Sequence, residues 1–165
     1  MLYLLDASVL ITANRQYYAI DRVPEFWGWL VHMGEMGNMK IPNEIYEEFK
    51  DGKDTLSDWA RQDEVEAALL LGEDVDIENV RSVMAEGYAP DLTDDEIEKL
   101  GRDPFLIAHA LTHIGYRTVV TTEVSKPKRV RANRHIPNVC DDLDVPCFNT
   151  FEFTTALDFR TDWKK

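Results

Sequence analysis

The sequence predicts an α/β fold in which a parallel sheet carries helices on both faces. Three observations lead there. Short runs dominated by apolar or β-branched residues, at Leu2–Leu5, Met39–Ile41, Thr118–Thr121 and Val145–Phe148, lack polar alternation and read as strands buried on both sides. They alternate with segments of helical spacing, as βαβ units do. No internal repeat or linker divides the 165 residues, which suit one domain burying roughly two thirds of its unfolded surface.

In chain order, Leu2-Tyr3-Leu4-Leu5 is the first strand, and Asp6-Ala7-Ser8 turns it into a helix whose Val9, Leu10, Ala13 and Tyr17 share a face. Pro24 opens a second helix rich in aromatic residues, where Trp27 and Trp29 read as core. Pro42 closes the Met39–Ile41 strand, and Asn43 is the expected N-cap of a helix with Ile45, Tyr46 and Phe49 that ends near Gly52. Residues 56–98 read as helical and acidic, and from Asp63 to Glu98 thirteen acidic residues face the single Arg81. A solvated outer face accounts for that charge; a partner-binding surface is the other reading. Asp103 is the expected N-cap of the next helix, with Pro104 at its first position. Phe105, Ile107, Ala108, Leu111 and Ile114 form the expected buried stripe of that helix, and Gly115 ends it.

Composition narrows the function classes. Hydrophobic residues make up 44% and charged residues 30%, which suits a folded soluble chain. Eighteen basic residues against 31 acidic ones give −13, which argues against a general nucleic-acid coat or a binder of anionic membranes. Cys140 and Cys147 are the only cysteines, so there is neither a disulfide framework nor a four-cysteine zinc site, and a reducing cytoplasmic setting is expected. The N-terminal apolar run stops at Asp6, too short for a secretory signal or a membrane span.

Ligands of open parallel sheets bind at the carboxyl ends of the strands. Asp6 follows the first strand, Glu123 follows the Thr118–Thr121 strand, and Asp103 opens the helix that feeds it. A fourth carboxylate comes from the helix after Ile41, which offers Glu44, Glu47 and Glu48. At about 100° per residue, Glu48 lies about 105° from the centre of the apolar face and the other two about 150° away. Glu48 is therefore the one expected nearest the sheet, with Glu44 one turn before it. Taken singly, Asp6 and Asp103 could be caps, Glu48 a solvated helix residue and Glu123 a turn residue. Taken together they pose an electrostatic problem, because two carboxylates about 5 Å apart repel by roughly 3 kcal/mol at an effective dielectric near 20. Such a group takes up protons or recruits a hard cation with oxygen ligands, Mg²⁺ or Mn²⁺, which can serve phosphodiester hydrolysis. The hydroxyls of Ser8 and Thr121 are placed to orient these carboxylates or their waters.

These residues carry a resemblance. Leu4-Leu5-Asp6-Ala7-Ser8-Val9-Leu10-Ile11 resembles the opening of PIN-domain ribonucleases, a family that includes the VapC-like toxins of toxin–antitoxin pairs. Glu48-Phe49, with Gly52 beyond, is similar to that family's acidic helix motif. Arg102–Ala110 resembles its third motif and Val119–Glu123 its fourth, where the family usually has Asp and Glu123 reaches one methylene further. Val23–Leu30 and Ile136–Cys140 look like a particular branch of the family. The resemblance implies a PIN-like three-layer α/β/α fold with a central parallel sheet of four to five short strands. It also implies Mg²⁺-dependent cleavage of RNA with Asp6, Glu48, Asp103 and Glu123 as catalytic metal ligands, a cognate antitoxin and a homodimer.

Lys126, Lys128, Arg129, Arg131 and Arg134 fall within nine residues that contain no acid, and without them the chain would carry −18. Lying just after Glu123, they are the candidate RNA-binding loop; a solvated surface loop is the alternative. His109 and His113 have a zinc-like i,i+4 spacing but lack the accompanying glutamate motif. The expected function is a metal-dependent endoribonuclease toxin. The second expectation is a PIN-like module that binds RNA or protein without cleaving.

Overall fold

The computed structural model describes all 165 residues. The chain runs β1 (Leu2–Leu5), α1 (Ala7–Thr12), α2 (Pro24–Glu35), β2 (Met39–Lys40), α3 (Asn43–Lys50), α4 (Thr55–Ala60), α5 (Asp63–Leu69), α6 (Ile77–Ser82), α7 (Asp94–Leu100), α8 (Asp103–Leu111), β3 (Arg117–Val120), α9 (Ile136–Asp142), β4 (Cys147–Phe148) and α10 (Thr150–Ala156). The four strands form one all-parallel sheet in the order β2-β1-β3-β4. With helices on both faces this is the three-layer α/β/α architecture that the unbroken apolar strands require.

Register decides what meets at the carboxyl edge. Leu5 pairs with Val120, so the next residues, Asp6 and Thr121, emerge side by side. The ladder continues past the strands, with Asp6 N–H donating to Val120 O at 2.9 Å and Thr121 N–H to Phe148 O at 3.1 Å. A helix that feeds a parallel strand runs antiparallel to it, so the N-termini of α8 and α9 lie at the same edge. The N-terminus of α3, which follows β2, lies there too.

Most boundaries follow the sequence pattern, and several differ for local reasons. Helix α3 begins at Asn43 itself with Pro42 in the capping position, because Pro42 already holds the extended backbone a cap needs. Helix α8 begins at Asp103 with Arg102 in the capping position, and no side chain caps it. It stops at Leu111, leaving Ile114 54% exposed and outside the expected stripe. The helix after Asp6 widens into a π turn over Ala13–Tyr17. The acidic middle is four short helices, and its acids account for several of their starts. Asp54 caps α4 through Ser57 N–H (2.9 Å), Asp76 caps α6 through Glu78 N–H (2.9 Å), and Thr93 with Glu96 forms a capping box on α7. Carboxylates in first turns also face the positive end of the helix dipole.

One cluster of 39 buried side chains forms the core, with Trp29, Tyr46, Phe26 and Phe153 its largest fully buried members. Trp27 and Trp29 belong to it, and the indole of Trp27 donates to Tyr18 O at 2.6 Å. Helix α8 is buried nearly all round, from Leu106 to Ala110, as befits an element between the sheet and outer helices. No helix is long and apolar enough to cross a membrane.

Candidate metal centre

Asp6 leaves β1 in the capping position of α1, but its carboxylate does not cap that helix. Oδ2 instead accepts the Ser8 hydroxyl at 2.5 Å and the Thr121 hydroxyl at 2.8 Å, and only 7% of the residue is exposed. The same hydroxyls fix the end of β3: Thr122 N–H donates to Ser8 Oγ (3.3 Å) and Glu123 N–H to Thr121 Oγ1 (3.2 Å). Two donors on one oxygen hold Asp6 in a single orientation and leave Oδ1 without a protein hydrogen bond. Ser8 and Thr121 thus orient the carboxylate as their positions suggest.

Asp103 lies within the field of Asp6, Glu123 and Glu48, and Glu48 within that of Asp6. Asp103, the first residue of α8, is pushed up to about 8 by burial and then by the charges of Asp6, Glu123 and Glu48. Glu48 sits at the mouth of the site, open to solvent on its outer side. The protein packed around it, with Asp6 adding repulsion and Arg102 opposing it, pushes Glu48 up to about 6. Half-buried Glu123 accepts Ile136 N–H through Oε2 at 2.7 Å, which ties one of its oxygens to the start of α9.

All four groups are carboxylates, the donor class a hard cation takes, and burial with three neighbouring charges keeps Asp103 protonated at neutral pH. No three acidic, histidine or cysteine side chains close on one point as a dry coordination cage would need. The hydroxyl of Tyr88 is buried and has no hydrogen-bond partner, among the charges of Asp103 and Glu123.

Glu44 faces a different neighbour. Its Oε2 lies 3.2 Å from Nε2 of His109 on α8, a side chain only 1% exposed. On the other side of the imidazole, Nδ1 is 3.7 Å from Glu73 Oε1 and makes no hydrogen bond. Glu73 in turn takes both guanidinium arms of Arg117, one of them at 3.0 Å, and Arg117 also donates to His109 O at 2.8 Å. Burial tends to raise the Glu73 carboxyl, but Arg117 outweighs it and holds the group below its ordinary range. This chain of contacts ties α3, α8, β3 and the segment after α5 together behind the carboxylates. The sequence reading found neither this brace nor Tyr88. An arginine opening an otherwise apolar strand was the one local signal of the brace.

The basic loop divides in two. Arg131 is bound by Asp91 (2.7 Å) and Glu96 (2.7 Å), and Arg134 by Asp142 (2.5 Å) with the carbonyl oxygens of Gly87 and Asn138. Those guanidiniums hold the loop to the body of the protein. Lys126, Lys128 and Arg129 are exposed and carry no ion pair. A hollow of about 190 Å³ beside Glu123 is lined in part by Val124, Ser125 and Phe148. Larger hollows of about 570 and 430 Å³ surround Trp163 at the C-terminus and include none of the carboxylates.

The family model described as Domain of unknown function (DUF4411) matches residues 3–161. Comparison with curated proteins found no match, and comparison with solved structures found none either.

Proposed function

The chain belongs to the DUF4411 family, and we propose that it is a Mg²⁺- or Mn²⁺-dependent endoribonuclease, the toxin of a type II toxin–antitoxin pair. What supports this reading is the carboxyl edge of the sheet, where Asp6 emerges beside Thr121 and where burial and the charges of Asp6, Glu123 and Glu48 push Asp103 up to about 8. The resemblance of the same four segments to PIN-domain ribonucleases supports it. So does the −13 charge, which leaves the unpaired cations after Glu123 as the natural seat for a phosphate backbone.

In this reading Asp6, Glu48, Asp103 and Glu123 hold the cation, which supplies activation of a water and neutralises charge developing on the phosphate. Ser8 and Thr121 keep Asp6 in one orientation, so the site is set before substrate arrives. Asp103, pushed up to about 8, would give up its proton on binding the cation. Glu123 contributes through Oε1, since Oε2 is engaged by Ile136. Lys126, Lys128 and Arg129 hold flanking phosphates. Ser8 is taken up in holding Asp6, so in this reading water attacks the phosphate in line and no covalent intermediate forms on the protein. The reduced cysteines suit a cytoplasmic enzyme, and a homodimer and a cognate antitoxin follow from the family likeness.

A second reading, a PIN-like module that binds RNA or protein without cleaving, is favoured by the engagement of Glu123 and by the lack of a closed three-ligand set. One experiment separates the two. The endoribonuclease cleaves RNA only with Mg²⁺ or Mn²⁺, and Asp6→Asn abolishes cleavage while the variant melts as the native protein does. Cleavage by Asp6→Asn at the native rate would reject the assignment. A native protein that binds RNA without cutting it establishes the binding module.

A further inference from the structure

The sheet order leaves β4 at an open edge. The carbonyl oxygens of Pro146 and Phe148 accept from β3, at 2.9 and 3.1 Å, so the peptide groups of Cys147 between them face outward. Two hollows follow this edge. The one of about 190 Å³ beside Glu123 and another of about 460 Å³ share Phe148, Asn149 and Glu152 in their walls, and so form one groove. Phe151, in the first turn of α10, lines the outer half and is 68% exposed. Its ring lies 6.1 Å from that of Tyr17, tilted rather than stacked. The inner half opens on the cationic stretch. Asn138 ties Ser125 and Lys126 to α9, accepting Lys126 N–H through Oδ1 (2.7 Å) and donating from Nδ2 to Ser125 Oγ (2.8 Å). Ser125 is itself part of the groove wall, so exposed Lys126, Lys128 and Arg129 begin where the groove ends. The two carboxylates in the wall are engaged, Glu123 by Ile136 N–H and Glu152 by Asn149 N–H at 2.8 Å. They repel phosphate from the stretch between them but not a neutral base.

We propose that this groove is a base-stacking subsite for single-stranded RNA, in which an unpaired base lies against Phe151 while phosphates further along the strand rest on Lys126, Lys128 and Arg129. The proposal rests on the RNA-directed reading above and deepens it, naming an unpaired strand as what the protein takes. An exposed ring offers a π-face to any base, and a cationic stretch beside it tracks the backbone, the combination by which single strands are held. In a duplex the bases stack on one another and do not reach the ring. A peptide that adds a strand needs a row of edge groups, and Cys147 is the single outward residue of a two-residue strand.

The test is Phe151→Ala, with Phe151→Trp as its counterpart, by fluorescence anisotropy on labelled oligoadenylate in metal-free buffer. Because Phe151 stands mostly in solvent, both variants melt at the native temperature. Phe151→Ala weakens binding about tenfold, the effect of one lost stack, and keeps the salt dependence of the native protein. Phe151→Trp binds as the native protein does or more tightly, and a blunt RNA duplex binds native and Phe151→Ala protein alike. Native affinity in Phe151→Ala overturns the proposal, leaves the nuclease reading intact and passes the groove to a protein partner. A loss that tryptophan does not repair, or that the duplex shares, overturns it as well. A native protein that neither binds nor cleaves RNA overturns both.

Discussion

Asp103 concentrates the electrostatic cost of the site in one proton. Its carboxyl moves from an ordinary 3.8 up to about 8, first through burial and then through Asp6, Glu123 and Glu48. Between those two values the unfolded chain has released this proton and the folded chain retains it. The folded state then binds more protons, so stability falls as pH rises across the window and levels off above it. Glu48 acts in the same sense over a narrower window, from 4.5 to about 6. Metal-free protein is therefore expected to melt at a lower temperature at about pH 9 than at about pH 5. Asp103→Asn flattens that decline and melts on the order of a few °C above the native protein at the alkaline end. Added Mg²⁺ raises the native melting temperature most where the carboxyls are ionised, since binding a cation and losing protons are linked. Thermal unfolding across pH, with and without Mg²⁺, checks all three statements, and a native profile in Asp103→Asn would mean that the carboxyl titrates normally.

Helices α3 and α8 carry two of the mutually repelling carboxyls, Glu48 and Asp103, and their backs are joined by the Glu44–His109 contact at 3.2 Å. His109 is buried and has only one close partner for its ring nitrogens, so removing Glu44 strands Nε2 in the interior. Glu44→Ala is expected to cost about 1–3 kcal/mol, roughly 3–8 °C in melting temperature for a chain of this size. Glu44→Gln carries the same charge change but keeps an acceptor for the imidazole, and stays close to native. Equal melting of the Ala and Gln variants would show that the contact contributes nothing. The sequence makes the front of this assembly legible and hides its back. Asp6, Thr121 and Glu123 follow recognisable strands, and the parallel register Leu5 to Val120 turns that local pattern into proximity. Helical angle places Glu48 nearest the sheet, and burial with the charge of Asp6 pushes its carboxyl up. Glu44 and His109, by contrast, are 65 residues apart, and neither position carries a local signal of its partner. The cap expected at Asn43 falls one residue earlier because Pro42 holds the extended backbone, and the one expected at Asp103 falls on Arg102, whose backbone is already near helical.

The whole molecule sets the terms on which an RNA can approach. At −13 it repels a phosphate chain over most of its surface, so the approach depends on where unpaired cations cluster. Arg61, Arg81, Arg117, Arg131, Arg134 and Arg160 are all ion-paired. Arg131 is bound most heavily, and its pairing with Glu96 draws that carboxyl down to about 2. Lys126, Lys128 and Arg129 stand free on the loop that leaves Glu123, next to the carboxylates where the reaction is proposed to occur. Each phosphate neutralised on a single strand contributes about 0.7 to the slope of log affinity against log salt. Replacing the three with alanine is therefore expected to make that slope shallower by about 2, measured by fluorescence anisotropy on single-stranded RNA in metal-free buffer. Arg131→Ala gives the opposite signature, a lower melting temperature with the salt slope unchanged, because its charge is spent on Asp91 and Glu96. A triple variant with the native slope would show that RNA does not approach over this loop, and the cleavage site would then have to be fed from the side of Arg102, the remaining cation near Glu48.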